Sequence, residues 1–529
     1  MHLTALDFIV LAGYFMGLIA MGVYFSRRQT SQASYYLGDR KMPWFLVGIS
    51  VVATLVSTNT YLATPGEMIK NGIGFFSMNL AYVFVIPAVT LIIIPVLMRL
   101  PVTSVYEYLD KRFSSGTRTL ASAVFVFTRL IWIGLIIYTA AYATAQMTGW
   151  NLPAIALIIG ITTICYTTMG GVGAVIWADF VQFILLFGGA IFIPLYVAFR
   201  TGAGPLTWWE TFGQAGRAEV PIFSFDPTVR TTLVGMILLS FLWNLCTHGA
   251  DQVAAQRYLT TSSPRAAQRS VWVFSILNVA LSALLMFCGV SLFFFYFKTS
   301  SLPLQEFQSQ IASVADSILP KFIATELPTG LSGLLLAALL AAAMSSLSSG
   351  MNSISTVLLN DFWIPFRTQR NPARELKLAR HFSSVAGLGG IASALLVNEL
   401  MRSSPWNLLD LMERVNHLFV APLGALFLSG IFFRRTAAKA AVIGFCAGFL
   451  TSVLVSFSRE IFGMNQGISF MWIMPASFVV SLTVSYLCGF LFPPPSEKQV
   501  AGMLLNPPAL LRTGPPSVPA ECRIDSPAT

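Results

Sequence analysis

Residues 333–357 read GLLLAALLAAAMSSLSSGMNSISTV. A Leu- and Ala-rich stretch long enough to cross a bilayer carries two serine pairs at its centre, Ser345-Ser346 and Ser348-Ser349. On a helix Ser345 lies one turn from Ser349, and Ala342 stacks beneath Ser345 and Ser346, so the segment presents one small, oxygen-rich face. Close helix approach through small side chains explains the Ala and Ser content but does not need four hydroxyls.

The rest of the chain sets the context. Of 529 residues 55% are hydrophobic and only 10% charged, with a mean hydropathy of +0.72, far from the range of soluble domains. The composition predicts an all-α polytopic membrane protein. Apolar runs lie near residues 5–25, 44–64, 73–98, 119–147, 152–168, 173–198, 231–254, 270–297, 330–358, 382–399, 407–432, 437–457 and 470–492, about thirteen spans of roughly 20 residues. The first follows no cationic segment and reads as a retained helix rather than a signal peptide. Residues 493–529, rich in Pro, read as a disordered tail.

The formal net charge of +10 does not point to nucleic acid, because the cations follow the loops. Arg27, Arg28, Arg40 and Lys41, then Lys111, Arg112 and Arg118, then Arg257, Arg265 and Arg269, then Arg367 to Arg380, then Arg434, Arg435 and Lys439 occupy alternate connections. The positive-inside rule then predicts an N-terminus outside and a C-terminus in the cytoplasm of a cell-membrane protein. Of six cysteines five fall in predicted spans, so no disulfide framework is expected. The histidines at positions 2, 248, 381 and 417 are isolated, and no metalloenzyme motif is present, which argues against an integral membrane enzyme.

Polar intramembrane sequence is tolerated beside protein or a water-filled cavity, so departures from plain apolar helix mark candidate sites. The second run, WFLVGISVVATLVSTNTYLATPGE at 44–67, is mostly hydroxyl and amide side chains from Thr54 to Thr60. Such side chains compete with the helix ladder, and the segment reads either as a broken helix with free carbonyls or as a regular helix bonded back on itself. Sodium needs several oxygen ligands, which neutral hydroxyls and freed carbonyls supply without burying fixed negative charge. The serine face opposite a broken second run would meet that need.

Further departures follow. In MGGVGAVIWADFVQ, residues 169–182, Gly170-Gly171 reads as a tight turn and Asp179 falls two turns into an apolar helix. An intramembrane carboxylate costs about 2.5–3.5 kcal/mol on insertion scales, so Asp179 is either a functional group or an Asp satisfied by a neighbouring hydroxyl. Beside Ser345, Ser348 and Ser349 it would form a second, charged cation site. Arg129, the Thr247, His248, Asp251 and Gln252 cluster, and Asp410, Glu413, Arg414 and Asn416 complete the polar set. Arg129 would attract an anionic solute, snorkel or pair with Glu413, and Glu413 and Arg414 read equally as a structural pair.

Together GGVGAVIWADFVQ, the 333–357 stretch, DQVAAQRYL and LFVAPLGALFLSGIFFRR resemble segments of the sodium:solute symporter family, over the chain from its first helix to about residue 490. The resemblance implies two inverted repeats of five helices with broken helices, at 44–199 and 231–433. A leading helix and loop (1–43), a connection (200–230) and two closing helices (434–492) would flank them. It also implies sodium-coupled inward symport of a small solute by alternating access, sodium being the coupling ion. By position, the common sodium site would use backbone oxygens of Ala53, Val56 and Ala342 with Ser345 and Ser346; a second would use Asp179, Ser345, Ser348 and Ser349. Solute contacts are expected from Thr58, Thr60, Ser77, Arg129, Thr247, His248 and Glu413.

ATPGEM and TSVYEYLDKRF look closest to the branch of monocarboxylate, iodide and multivitamin carriers. Sugar carriers of the family typically have Asn, His and Glu where this chain has Leu55, Thr60 and Ser77, while Glu413 and Arg414 depart from the usual Gln-Ser. The resemblance therefore favours an anionic solute, a monocarboxylate or a sugar acid, over glucose. The alternatives are a sodium-coupled carrier of a sugar or other neutral solute, a proton-coupled carrier through Asp179, and a non-transporting sensor of the same fold.

Overall fold

The computed structural model describes residues 4–402 and 408–505, and of residues 402, 408–413, 415 and 416 the backbone alone. Every regular element among them is helical. In chain order the helices that build the bundle are α1 (Ala5–Ser26), α2 (Trp44–Leu55), α3 (Thr58–Asn71), α4 (Ile73–Arg99), α5 (Ser115–Thr148), α6 (Leu152–Thr201), α7 (Leu233–Ala250), α8 (Gln252–Leu259), α9 (Pro264–Thr299), α10 (Leu331–Val357), α11 (Pro372–Arg402), α12 (Leu408–Phe432), α13 (Ala438–Ser456) and α14 (Ile473–Cys488).

Length and composition alone give ten membrane-crossing helices among the described residues, and the α2–α3 pair, bent by 64°, makes an eleventh. Two more crossings follow from geometry. The 50 residues of α6 would run about 75 Å as one helix, more than twice a bilayer core. Gly171 instead takes φ 56° and ψ −158°, and the chain turns back. Both ends of α6 consequently lie at one end of the bundle: Trp150 stacks on Phe8, and Tyr196 donates to the Glu326 carbonyl at 2.7 Å. The apolar α12 is the thirteenth crossing, in agreement with the sequence.

The first helix of each set of five is broken. α2 gives way to α3 at Val56, and α7 to α8 at Asp251, both residues being extended. The two breaks run in opposite directions. α2 starts at the basic end of the bundle, where the Met42 amide donates to the Thr260 carbonyl at 3.1 Å, whereas α7 starts at the far end beside Glu67 and Arg230. α10 is the central helix, buried along nearly its whole length against α5, α6 and α11. α1 anchors it: the buried Asp7 carboxylate accepts the amides of Gly330 and Gly333 at 2.8 and 2.7 Å, at the positive end of α10.

Three expectations change. Arg112 and Arg257 are not loop cations but are fully buried, Arg112 because its guanidinium donates to the Gly430 and Phe433 carbonyls that end α12. Residues 493–505 do not hang free. Gln499 Nε2 donates to the Phe113 carbonyl at 2.9 Å and the Leu505 amide to that of Ile431 at 3.1 Å, so this stretch straps the basic end; residues 506–529 lie outside the described residues.

The reversal at Gly171 depends on glycine twice over. Its backbone region is open almost to glycine alone, and a Cβ there would sit 2.7 Å from the Tyr35 carbonyl oxygen. Gly171→Ala is expected to destabilise the fold by about 1–3 kcal/mol or more, read as a lower melting midpoint in detergent. Gly188→Ala, where a Cβ would meet nothing within 4 Å, should leave the midpoint unchanged or raised.

Candidate functional site

The break at Val56 frees the carbonyls that end α2, and α10 takes them. Ser345 Oγ donates to the Ala53 carbonyl at 2.7 Å and lies 3.2 Å from that of Ala342; Ser346 Oγ donates to the Thr54 carbonyl at 2.8 Å. Thr58 Oγ1, on the first turn of α3, donates to the Leu339 carbonyl at 3.1 Å. All of these side chains are buried. The expected ligands Ala53, Ala342, Ser345 and Ser346 are therefore in one cluster, with Val56 at the break beside it. Its donors are neutral oxygens only, which suits sodium rather than a transition metal.

One turn further along α10 the cluster becomes charged. Asp179 Oδ2 accepts from Ser50 Oγ at 2.5 Å and lies 3.5 Å from Thr54 Oγ1. Thr54 Oγ1 in turn bonds Ser349 Oγ at 2.7 Å, while Ser348 donates to the Ser345 carbonyl at 3.0 Å. The sequence reading missed one further member. Arg257 on α8 donates to Ser349 and stands 3.8 Å from Asp179, both side chains being fully inaccessible. A cation at the end of an apolar run looks topological, and its position in DQVAAQRYL is the one signal that marks it otherwise. The separation is long for a charge-assisted bond, and Asp179 Oδ1 has no hydrogen-bond partner, so one carboxylate oxygen is uncommitted. Any cation here shares Asp179 with a permanent guanidinium.

Beside the break lies a cavity of about 260 Å³ that reaches from Val56 to the end of the bundle opposite the basic connections. Thr60, Arg129 and Thr247 of the expected solute residues line it. Arg129 pairs with Asp251, and its guanidinium lies 4.4 Å from the Trp132 ring centroid. At the rim Arg230, 41% exposed, grips Glu67 through two bonds of 3.0 and 2.9 Å.

The other expected solute residues are placed differently. Thr58 is committed to α10; His248 turns away from the cavity, its Nδ1 2.7 Å from the Tyr258 hydroxyl and its ring on Phe274. Ser77 is buried in the first turns of α4, whose Phe75, Met78 and Asn79 form the wall instead. The side chains of Glu413, Asp410 and Asn416 lie outside the described residues, and Arg414 bonds Glu460 at 3.1 Å. The sequence reading had no role for Asn59 on the first turn of α3, Asn79 on α4 and Asn244 on α7, which add amides to the wall.

Comparison with known proteins agrees with this architecture. A sialic acid symporter of Proteus mirabilis is 30% identical over 86% of this chain and 90% of its own length, and a sodium-dependent multivitamin transporter of Oryctolagus cuniculus is 28% identical over 88% and 72%. A solved structure of a Na+-coupled sialic acid symporter, substrate-bound and outward-open, matches with a TM-score of 0.81 and 26% identity, covering 93% of this chain and 99% of that one. A nucleobase-cation-symport-1 transporter, 12% identical with a TM-score of 0.53, shares the fold. The family model for the sodium:solute symporter family matches residues 35–448. With the broken helices, the serine cluster and the cavity they flank, the chain belongs to the sodium:solute symporter family, whose members are membrane transporters that couple a small solute to sodium.

Proposed function

We propose that the protein carries an acidic solute, of the sugar-acid or monocarboxylate type, into the cell together with sodium. Its N-terminus would face outside and its C-terminus the cytoplasm of the cell membrane. The observation that carries the solute class is Arg129, a cation in the wall of the cavity next to the break that bears the serine cluster. The naming of two bacterial relatives as sialic acid symporters supports the same class.

In this reading the Ala53, Val56 and Ala342 carbonyls with the Ser345 and Ser346 hydroxyls hold one sodium ion. Asp179, Ser345, Ser348 and Ser349 hold a second. Each sodium moving down 100 mV supplies about 2.3 kcal/mol before any concentration gradient, so two ions draw in a monoanion with net positive charge still entering. The serine–carbonyl contacts tie α10 to the broken α2–α3 pair. An ion at that seam stabilises the cavity open to the outside, and its loss lets the two repeats move past each other.

Uptake of labelled sialic acid into proteoliposomes tests the coupling. Ser345→Ala combined with Ser346→Ala is expected to abolish sodium-dependent uptake; transport that survives the double substitution, or that persists when choline replaces sodium at fixed pH, contradicts the reading. Sodium activation should show a Hill coefficient near two, falling toward one in Asp179→Asn. Arg129→Gln should weaken solute affinity by roughly 10- to 100-fold, the worth of one or two charge-assisted hydrogen bonds, as read by calorimetry at saturating sodium.

A further inference from the structure

Asp251 divides its carboxylate between two tasks. It is the extended residue between α7 and α8, with φ −94° and ψ 119°. Its Oδ1 accepts the Val253 amide at 2.9 Å and caps α8, while its Oδ2 takes Arg129 from the middle of α5. Both residues line the cavity, their side chains 11% and 10% exposed. Among the described residues the guanidinium makes no other hydrogen bond, although it carries five N–H donors.

We propose that Asp251 Oδ2 is a built-in surrogate for the solute's carboxylate: it holds Arg129 while no solute is present and is exchanged for an acidic solute on binding. The proposal rests on the acidic-solute reading above and adds the residue that competes with the solute. Three features favour exchange over a fixed structural pair. The pair is reachable from the cavity, unlike Arg257 and Asp179, which have no accessible surface at all. A displaced Asp251 keeps a place, since the Val253 amide and the positive end of α8 still favour its charge. The Trp132 face and the Phe125 ring, 5.6 Å away, hold the guanidinium in position while its carboxylate partner changes.

The exchange links solute to motion. In the free protein the pair ties α5 to the hinge between α7 and α8. A carboxylate that arrives on Arg129 releases Asp251 and with it the hinge, whereas a neutral solute leaves the tie in place. Sodium bound without solute thus meets a locked hinge, which limits futile ion leak.

Asp251→Asn separates the roles, because Asn caps helices about as well as Asp but carries no charge. The full chain in lipid nanodiscs at saturating sodium is titrated calorimetrically with sialic acid and glucuronate, and with the methyl ester of each. The variant is expected to bind the acids at least about ten-fold more tightly, some 1.4 kcal/mol, with the ester affinities unchanged, and to show solute-independent ²²Na influx in proteoliposomes. Stabilisation by sodium in a thermal melt confirms that it is folded; Asp251→Ser, which retains a capping oxygen, replaces it if it is not. Acid affinity that is unchanged or weaker, in a wild type that prefers acid to ester, overturns the surrogate role alone. A wild type that binds acid no better than ester overturns the acidic-solute reading and this proposal together.

Discussion

The hydroxyls of Ser345 and Ser346 take carbonyls that the interrupted helix at Val56 leaves without intrahelical partners, and the transport core depends on this one exchange. A helix broken in a bilayer exposes backbone groups that lipid cannot satisfy, at several kcal/mol each. α10 satisfies them with small side chains that also allow it to approach closely. The oxygen atoms gathered for that purpose are the same ones that suit a sodium ion. In the proposed reading, one set of atoms meets both the structural need and the ion.

Charge follows the same economy. The carboxylate–guanidinium pairs Asp179–Arg257 and Arg129–Asp251 differ in access. Asp179 and Arg257 are sealed beneath the serine face, where removal of either partner would leave an uncompensated buried charge. Arg129 and Asp251 stand open to the cavity. Both arginines meet residues on or beside a broken helix, Arg257 from within α8 and Arg129 across to its cap. The proposed ion and solute sites thus adjoin the two helix breaks, the proximity that coupling in a symporter requires.

Much of the fold was legible in the sequence. The thirteen crossings follow from apolar run length, and the reversal at Gly170-Gly171 from two glycines between apolar runs. The break in the second run was foreshadowed by five polar residues from Thr54 to Thr60, since Ser, Thr and Asn side chains compete with the helix ladder. The break at Asp251 was not foreseen, because a single extended residue between two helical stretches leaves the hydropathy of the run intact. Arg257 was misread for a related reason: position in a run says how far a cation is from the interface, but not whether a carboxylate waits beside it.

The sequence by itself determined which segments enter the membrane and which face of each is polar, since helical periodicity fixes a face from its own residues alone. It thereby marked Ser345, Ser346 and Asp179 before any partner was known. Only the tertiary structure decided that Arg257 stands against Asp179, that Arg129 holds Asp251, and that His248 and Ser77 turn from the cavity while Asn59 and Asn79 enter its wall. Those partners lie on different helices, 78 positions apart for Asp179 and Arg257 and 122 for Arg129 and Asp251. Periodicity carries no information across such distances; packing of the helices sets which polar faces meet.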